Sequence, residues 1–166
     1  MSDSKQWRLL MHKIKVYADT SVFGGTQDEE FKENSLNFFN KVTNGEFIVL
    51  LSTETLRELS GSPQEVQSVM LNLPDSSIEE VPIDDEVRDL ANEYIAAEVL
   101  GQASFSDALH VSAATVAGAD LILSWNFRHI VNFNRIRGFN SVNIRFGYRT
   151  MTILSPKEVS DENEIL

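Results

Sequence analysis

The sequence predicts an α/β fold, a three-layer α/β/α sandwich around a central, mainly parallel sheet. Three observations point to it. Short apolar runs of strand length alternate with segments of helical period. Phe47 to Leu51 is a continuous apolar run, as in strands covered on both faces. One helical segment is built almost wholly of small and apolar residues, which places it centrally and buries it. At 166 residues the chain is long enough for one domain with a proper core.

Taken in order, Ile14 to Ala18 reads as a short buried strand. Asp28 to Asn44 reads as a helix, with Phe31, Ser35, Phe38, Phe39 and Val42 at helical spacing and Asn44-Gly45 as its stop. Phe47 to Leu51 is a continuous apolar strand. Ser52 then caps a short helix through Leu59, ended by Ser60-Gly61. Ser62-Pro63-Gln64-Glu65 has the form of a capping box with proline at the first helical position, opening a helix to about Leu73. Ser77 to Ile83 contains Pro82 and reads as an edge strand. Asp84 to Leu100 is amphipathic through Val87, Leu90, Ala91, Tyr94, Ile95 and Val99, with Gly101 as terminator. Ser106 to Ala117 is the small, apolar helix, stopped by Gly118. Leu121 to Ser124 is a strand. A short helix near Phe127 to Phe133 and a last strand at Thr152 to Leu154 complete the set. Residues 1–12 are expected to be a flexible extension, 13–156 the domain and 157–166 a loose acidic tail.

The chain is 42% hydrophobic and 23% charged, with no cysteine, so disulfides and thiolate metal sites are excluded. No apolar run approaches a membrane span and no signal-peptide core is visible, so a cytoplasmic protein without membrane contact is expected. The net charge of −11 opposes generic nucleic-acid binding by the whole surface. Its distribution is uneven. Residues 26–98 hold seventeen acids and four bases, whereas 121–155 hold five arginines (Arg128, Arg135, Arg137, Arg145, Arg149) and no acid. Such asymmetry marks either a polyanion-facing side or arginines that pair with the acidic half.

The candidate site comes from acids placed at the ends of apolar runs. Asp19 follows the first strand, Glu58 lies one or two helical turns beyond the second, and Asp107 opens the buried helix. The fourth such place, after Leu121-Ile122-Leu123, holds Asn126. In parallel α/β sheets ligands bind beyond the carboxyl ends of the strands, and converging carboxylates there suit a hard divalent cation. Each residue also has a plainer reading. Asp19 is placed to cap local turn amides, with Ser21 beside it. Glu58 is one turn from Glu54 and is relieved of that repulsion by a metal, by solvent or by Arg57. Asp107 fits a capping box begun at Ser104. His110, one turn on, reads as a hydrogen-bonded core histidine. Asn126 supplies an amide oxygen without charge, with Ser124 near it. Gly24-Gly25 reads as a turn, and no nucleotide-binding glycine motif is present.

Four segments together resemble the PIN-domain family: Tyr17-Ala18-Asp19-Thr20-Ser21-Val22-Phe23, then Leu50-Leu51-Ser52 with Glu58-Leu59, then Ser106 to Ala114, then Ala119 to Phe127. The resemblance covers roughly Lys15 to Ser155. It implies a metal-dependent ribonuclease, as in VapC-like toxins of toxin–antitoxin pairs, with Asp19, Glu58 and Asp107 holding Mg²⁺ or Mn²⁺. Asn126 stands where the family carries a fourth acid, which puts a second metal in question. It also implies RNA as substrate, an antitoxin partner and a homodimer. Ser21, Ser124 and Arg128 are the expected substrate contacts. Trp125 and Phe127 are candidates for base stacking or for the core. The alternative is a PIN-like module with attenuated catalysis that binds RNA or protein.

Overall fold

The computed structural model describes residues 13–160. The expected N-terminal extension lies outside these residues, as does the tail beyond Ser160. Five strands form one sheet: β1 (Ile14–Ala18), β2 (Phe47–Ser52), β3 (Ile78–Val81), β4 (Leu121–Leu123) and β5 (Thr152–Leu154). Their order is β3-β2-β1-β4-β5 and every pairing is parallel. β1 is central, with Val16 opposite Val49 on one side and Leu121 on the other. Side chains alternate in direction along a strand. Val16, Ala18, Val49, Leu51, Leu121 and Leu123 therefore enter one core, and Tyr17, Leu50, Ile122 and Ile153 the other.

Among the described residues eight α-helices cover the two faces. On the first lie α1 (Thr20–Gly24), α2 (Lys32–Thr43), α3 (Thr53–Ser60), α4 (Gln64–Leu71) and α8 (Pro156–Ser160). On the second lie α5 (Asp85–Ala96), α6 (Phe105–Val116) and α7 (Phe133–Arg145). The result is the three-layer α/β/α sandwich that the sequence predicts. The chain winds outward from β1 to β3, then returns to place β4 against the free side of β1. The strand order reverses there, and the crevice beyond the carboxyl ends of β1 and β4 is the topological switch point. No described helix is long and apolar enough to cross a membrane.

Local chemistry explains most boundaries. Ser52 Oγ accepts the Thr55 amide at 3.1 Å and opens α3, and Asp84 accepts the Val87 amide at 3.0 Å and opens α5. α2 and α6 end in Schellman motifs with Gly45 (φ 80°) and Gly118 (φ 69°) in the left-handed region. α5 ends the same way before Gly101: the Val99 amide bonds to Tyr94 O and the Glu98 amide to Ile95 O, with Glu98 at φ 58°. α2 starts at Lys32 because the Asp28 carboxylate takes the Glu30 amide and folds residues 28–31 into a turn. Pro63 is the N-cap of α4 and lies outside its first turn. The Ser62 hydroxyl donates back to Glu58 O, so the expected capping box does not form.

Two differences are larger. Residues 127–130 are turns, and the helix expected there is the thirteen-residue α7, which starts at Phe133 under an Asn132 cap. α8 packs on α2 with Val159 in the core, so order continues past the expected start of the acidic tail. Gly24-Gly25 is helical. Gly25 is required by close approach, since a Cβ there would lie 2.6 Å from Ser35 Oγ and 2.7 Å from Trp125 Nε1. Gly25→Ala should cost about 1–3 kcal/mol through overpacking, read by urea denaturation. A stability within a few tenths of wild type would contradict this packing.

Candidate functional site at the carboxyl ends of the central strands

Asp19 follows β1 at extended dihedrals (φ −74°, ψ 173°) and precedes α1 without a side-chain cap bond. The residue is 4% exposed, and its carboxylate takes two hydroxyl donors, Ser21 on Oδ1 and Ser124 on Oδ2, each at 2.5 Å. The same two hydroxyls accept backbone amides of the chain leaving β4: Trp125 to Ser21 Oγ at 2.8 Å, and Asn126 to Ser124 Oγ at 2.9 Å. The Asp19 amide donates to Leu123 O. Burial raises the pKa of Asp19 above the usual carboxylate value, while the positive field of His110 and the two hydroxyls hold it back.

Glu58 projects from α3 to the same crevice. It accepts from Thr20 Oγ1 at 3.1 Å and pairs closely with His110 Nε2 from α6. His110 is buried, and its Nδ1 meets the Tyr17 hydroxyl at 2.7 Å, which also bonds Ser52. Burial opposes charge on both partners. For His110 it is outweighed by the Tyr17 oxygen and the carboxylates of Glu58 and Asp19, so its pKa lies well above the usual imidazole value. For Glu58 it is outweighed by the His110 contact and the Thr20 hydroxyl, so its pKa is lowered. Glu54 does not share this contact. Its carboxylate is gripped by Arg57 at 2.6 and 3.0 Å and by Ser106 Oγ at 2.6 Å. The two glutamates one turn apart are thus neutralised separately.

Asp107 lies in the first turn of α6, whose N-cap Ser104 makes no side-chain cap bond, so the capping-box reading fails here too. Its oxygens take Asn126 Nδ2 at 3.2 Å and His129 Nδ1 at 2.8 Å. Asn126 Oδ1 accepts the His129 amide at 2.9 Å. Asn126 therefore acts as donor to Asp107 and acceptor from His129 at once, and an aspartate could not do the first. Arg128 is exposed and, among the described residues, makes no salt bridge. Trp125 is 9% exposed, stacked on Phe31 at 4.1 Å with its indole N–H on Ser35.

The structure links Asp19, Ser21, Ser124, Asn126 and Asp107 in one hydrogen-bonded chain, with Glu58 joined beside it through Thr20 and His110. Sequence reasoning missed His129, Thr20 and the Ser106 hydroxyl on Glu54, while Arg57, one of the groups it offered for relieving the glutamate repulsion, engages Glu54. The spacing of His129 three residues after Asn126 suits an asparagine-capped turn. Nothing in the sequence aims its ring at Asp107.

Whether these residues suit a divalent cation can be judged from Asp19. It is a buried carboxylate whose direct partners are neutral hydroxyls, so its negative charge has no cation in contact. The donors are all oxygen, which suits Mg²⁺ or Mn²⁺. Among the described residues no three His, Asp or Glu side chains are grouped to enclose an ion. The fit is therefore to a cation that keeps much of its water and takes one or two carboxylates, as Mg²⁺ commonly does.

The Arg57 hydrogen bond, against burial, lowers the pKa of Glu54 below its ordinary 4.5. Its contribution to stability is full above that value and is lost as pH falls through the lower folded-state pKa. Glu54→Gln should cost roughly 1–2 kcal/mol at neutral pH, with the exposed Arg57 discounted. Denaturation curves should show this difference shrinking below about pH 4. A difference independent of pH would contradict the ionised pair.

No protein-family model and no curated protein matches the chain. Among solved structures it is similar to VapBC2 from Rickettsia felis bound to a DNA fragment from their promoter. The identity is 14%, the TM-score 0.53, and the match covers 86% of this chain and 98% of that one. A second likeness, to tyrosyl-tRNA synthetase from Aeropyrum pernix, has 14% identity and a TM-score of 0.44, covering 90% of this chain and 55% of that one. The first, with the five-stranded parallel sheet and its two helical layers, establishes what the chain is at the level of architecture: a PIN-like α/β/α fold.

Proposed function

We propose that this protein is a metal-dependent endoribonuclease of the PIN type. The observation that carries the reading is the buried Asp19 carboxylate, held by two hydroxyls at the switch point and tied through Ser124 and Asn126 to Asp107. Asp19 and Asp107 would hold Mg²⁺ or Mn²⁺ with its waters, and Glu58 would lend a third carboxylate. Bound there, the metal would polarise a phosphodiester and lower the pKa of an attacking water. The chain's own residues do the positioning. Ser21 and Ser124 fix the two oxygens of Asp19, Asn126 orients Asp107, and Arg128 offers a cation for a phosphate. The likeness to VapBC2 supports a toxin role with an antitoxin partner, and a homodimer remains part of the same reading.

A second reading is favoured by one observation. Asn126 spends its amide oxygen on the His129 backbone, and His129 caps Asp107. This suits a module with attenuated catalysis that binds RNA or protein.

Purified protein with Mn²⁺ should cut single-stranded RNA, EDTA should stop it, and Asp19→Asn should lower the rate by at least about 100-fold. Cleavage surviving either treatment would overturn the assignment. Mn²⁺ binding by calorimetry without cleavage would favour the second reading.

Asn126→Asp sets a carboxylate against Asp107 and removes the donor. In EDTA it should lower Tm by about 2–6 °C. Millimolar Mn²⁺ should recover this and raise Tm more than it does for wild type, read by scanning fluorimetry. An equal Mn²⁺ shift in both proteins would show that position 126 does not govern metal binding.

A further inference from the structure

We infer that Phe127, Phe133 and Arg137 form a stacking surface that selects single-stranded RNA beside the site, an inference that rests on the proposed nuclease reading. The arginines of residues 121–155 are not one face. The Arg135 guanidinium donates to Val99 O, and Arg149 reaches Gly118 O at the opposite end of β4. Arg145 lies over Phe146 at the far end of α7, 5.3 Å from the ring centroid. Arg128 and Arg137 remain. The first is in the loop leaving β4, next to Asn126. The second is one turn into α7, which rises about 1.5 Å per residue from the end of that loop.

The aromatic side chains divide in the same way. Trp125 is locked by Phe31 and Ser35 and offers no face to a base. Phe127 is 48% exposed and stands edge-to-face on Trp125, with centroids 6.1 Å apart at 64°. Trp125 is thus a rigid backing for a ring that faces water. Phe133 is 73% exposed at the first position of α7, and the Arg137 guanidinium lies over its ring, 5.6 Å from the centroid. Two solvent-facing phenyl rings, one with an arginine over it and one followed in the chain by the exposed Arg128, lie within seven residues of Asn126.

Charge selects the occupant. The chain carries a net −11, so the positive charge a polyanion would meet here comes from Arg137 over Phe133 and from the exposed Arg128 of the loop. Bases stack on exposed rings whatever their identity, and phosphates meet the guanidinium groups. A duplex hides its base faces, so the surface distinguishes strandedness rather than sequence.

The test uses full-length protein in EDTA, which separates binding from cleavage, with a short fluorescein-labelled single-stranded RNA and its duplex in anisotropy titrations. Wild type should prefer the single strand. Phe127→Ala and Phe133→Ala should each weaken binding roughly ten-fold, and Phe127→Tyr should retain it. Arg137→Gln should reduce the slope of affinity against salt. Equal affinity for duplex, alanine variants that bind as wild type, or no binding by wild type would each overturn the inference. So would alanine variants that change the sedimentation of the protein while leaving RNA affinity intact, since the surface would then be a protein interface. Because cleavage is not read, failure here leaves the nuclease reading standing. Loss of cleavage in Asp19→Asn with binding intact would confirm that the two are separate.

Discussion

The site depends on how one buried carboxylate is satisfied. Asp19 lies between the carboxyl ends of β1 and β4, where an unpaired charge would cost several kcal/mol. Two serine hydroxyls meet it, one from its own strand end and one from the neighbouring strand. Each hydroxyl has a second task, accepting an amide of the chain that leaves β4. The carboxylate, the serines and those amides form a cross-tie at the switch point of the sheet. The direction of Trp125 and Asn126 follows from it, and through Asn126 so do the settings of Asp107 and His129.

Around this tie each of the other carboxylates has its own basic partner. Arg57 serves Glu54, His110 serves Glu58, and His129 serves Asp107. Asp19 alone of the four is met by hydroxyls rather than by a guanidinium or an imidazole. That division leaves one carboxylate held by hydroxyls and three that have a basic partner. It also explains how a strongly acidic chain tolerates four carboxylates near one sheet end. Among the described residues every buried side-chain polar atom finds a hydrogen-bond partner, so the network is closed as it stands, and a metal would enter it by exchange with existing contacts.

Much of the fold was legible in the residues. The continuous run Phe47 to Leu51 marks a strand covered on both faces, and the stretch Val16 to Ala18 is likewise buried on both. The glycine stops at Gly45 and Gly118 act through the left-handed φ that only glycine adopts cheaply. The last long helix was hidden for a physical reason. Its buried face includes Asn143, fully buried and bonded to the Tyr94 hydroxyl. Phe133 and Ile144 point to water, and Gly138 interrupts it to let Val99 approach. Polar residues inside and apolar ones outside erase the period that sequence patterns rely on. The stop of the fifth helix was misplaced because Glu98, rather than Gly101, takes the left-handed position.

By itself the sequence determined the α/β class, the strands and most caps, because these rest on period, propensity and neighbours a few residues apart. It also placed Asp19, Asp107 and Asn126 near strand ends or helix starts, and so near one another in a parallel sheet. Only the tertiary structure decided what each carboxylate touches. Ser21 and Ser124 are far apart in sequence yet share Asp19, and His129 meets Asp107 across two elements. Such contacts are set by the strand order that brings β4 beside β1. No local pattern in the chain encodes that order, since it results from two cores being filled at once.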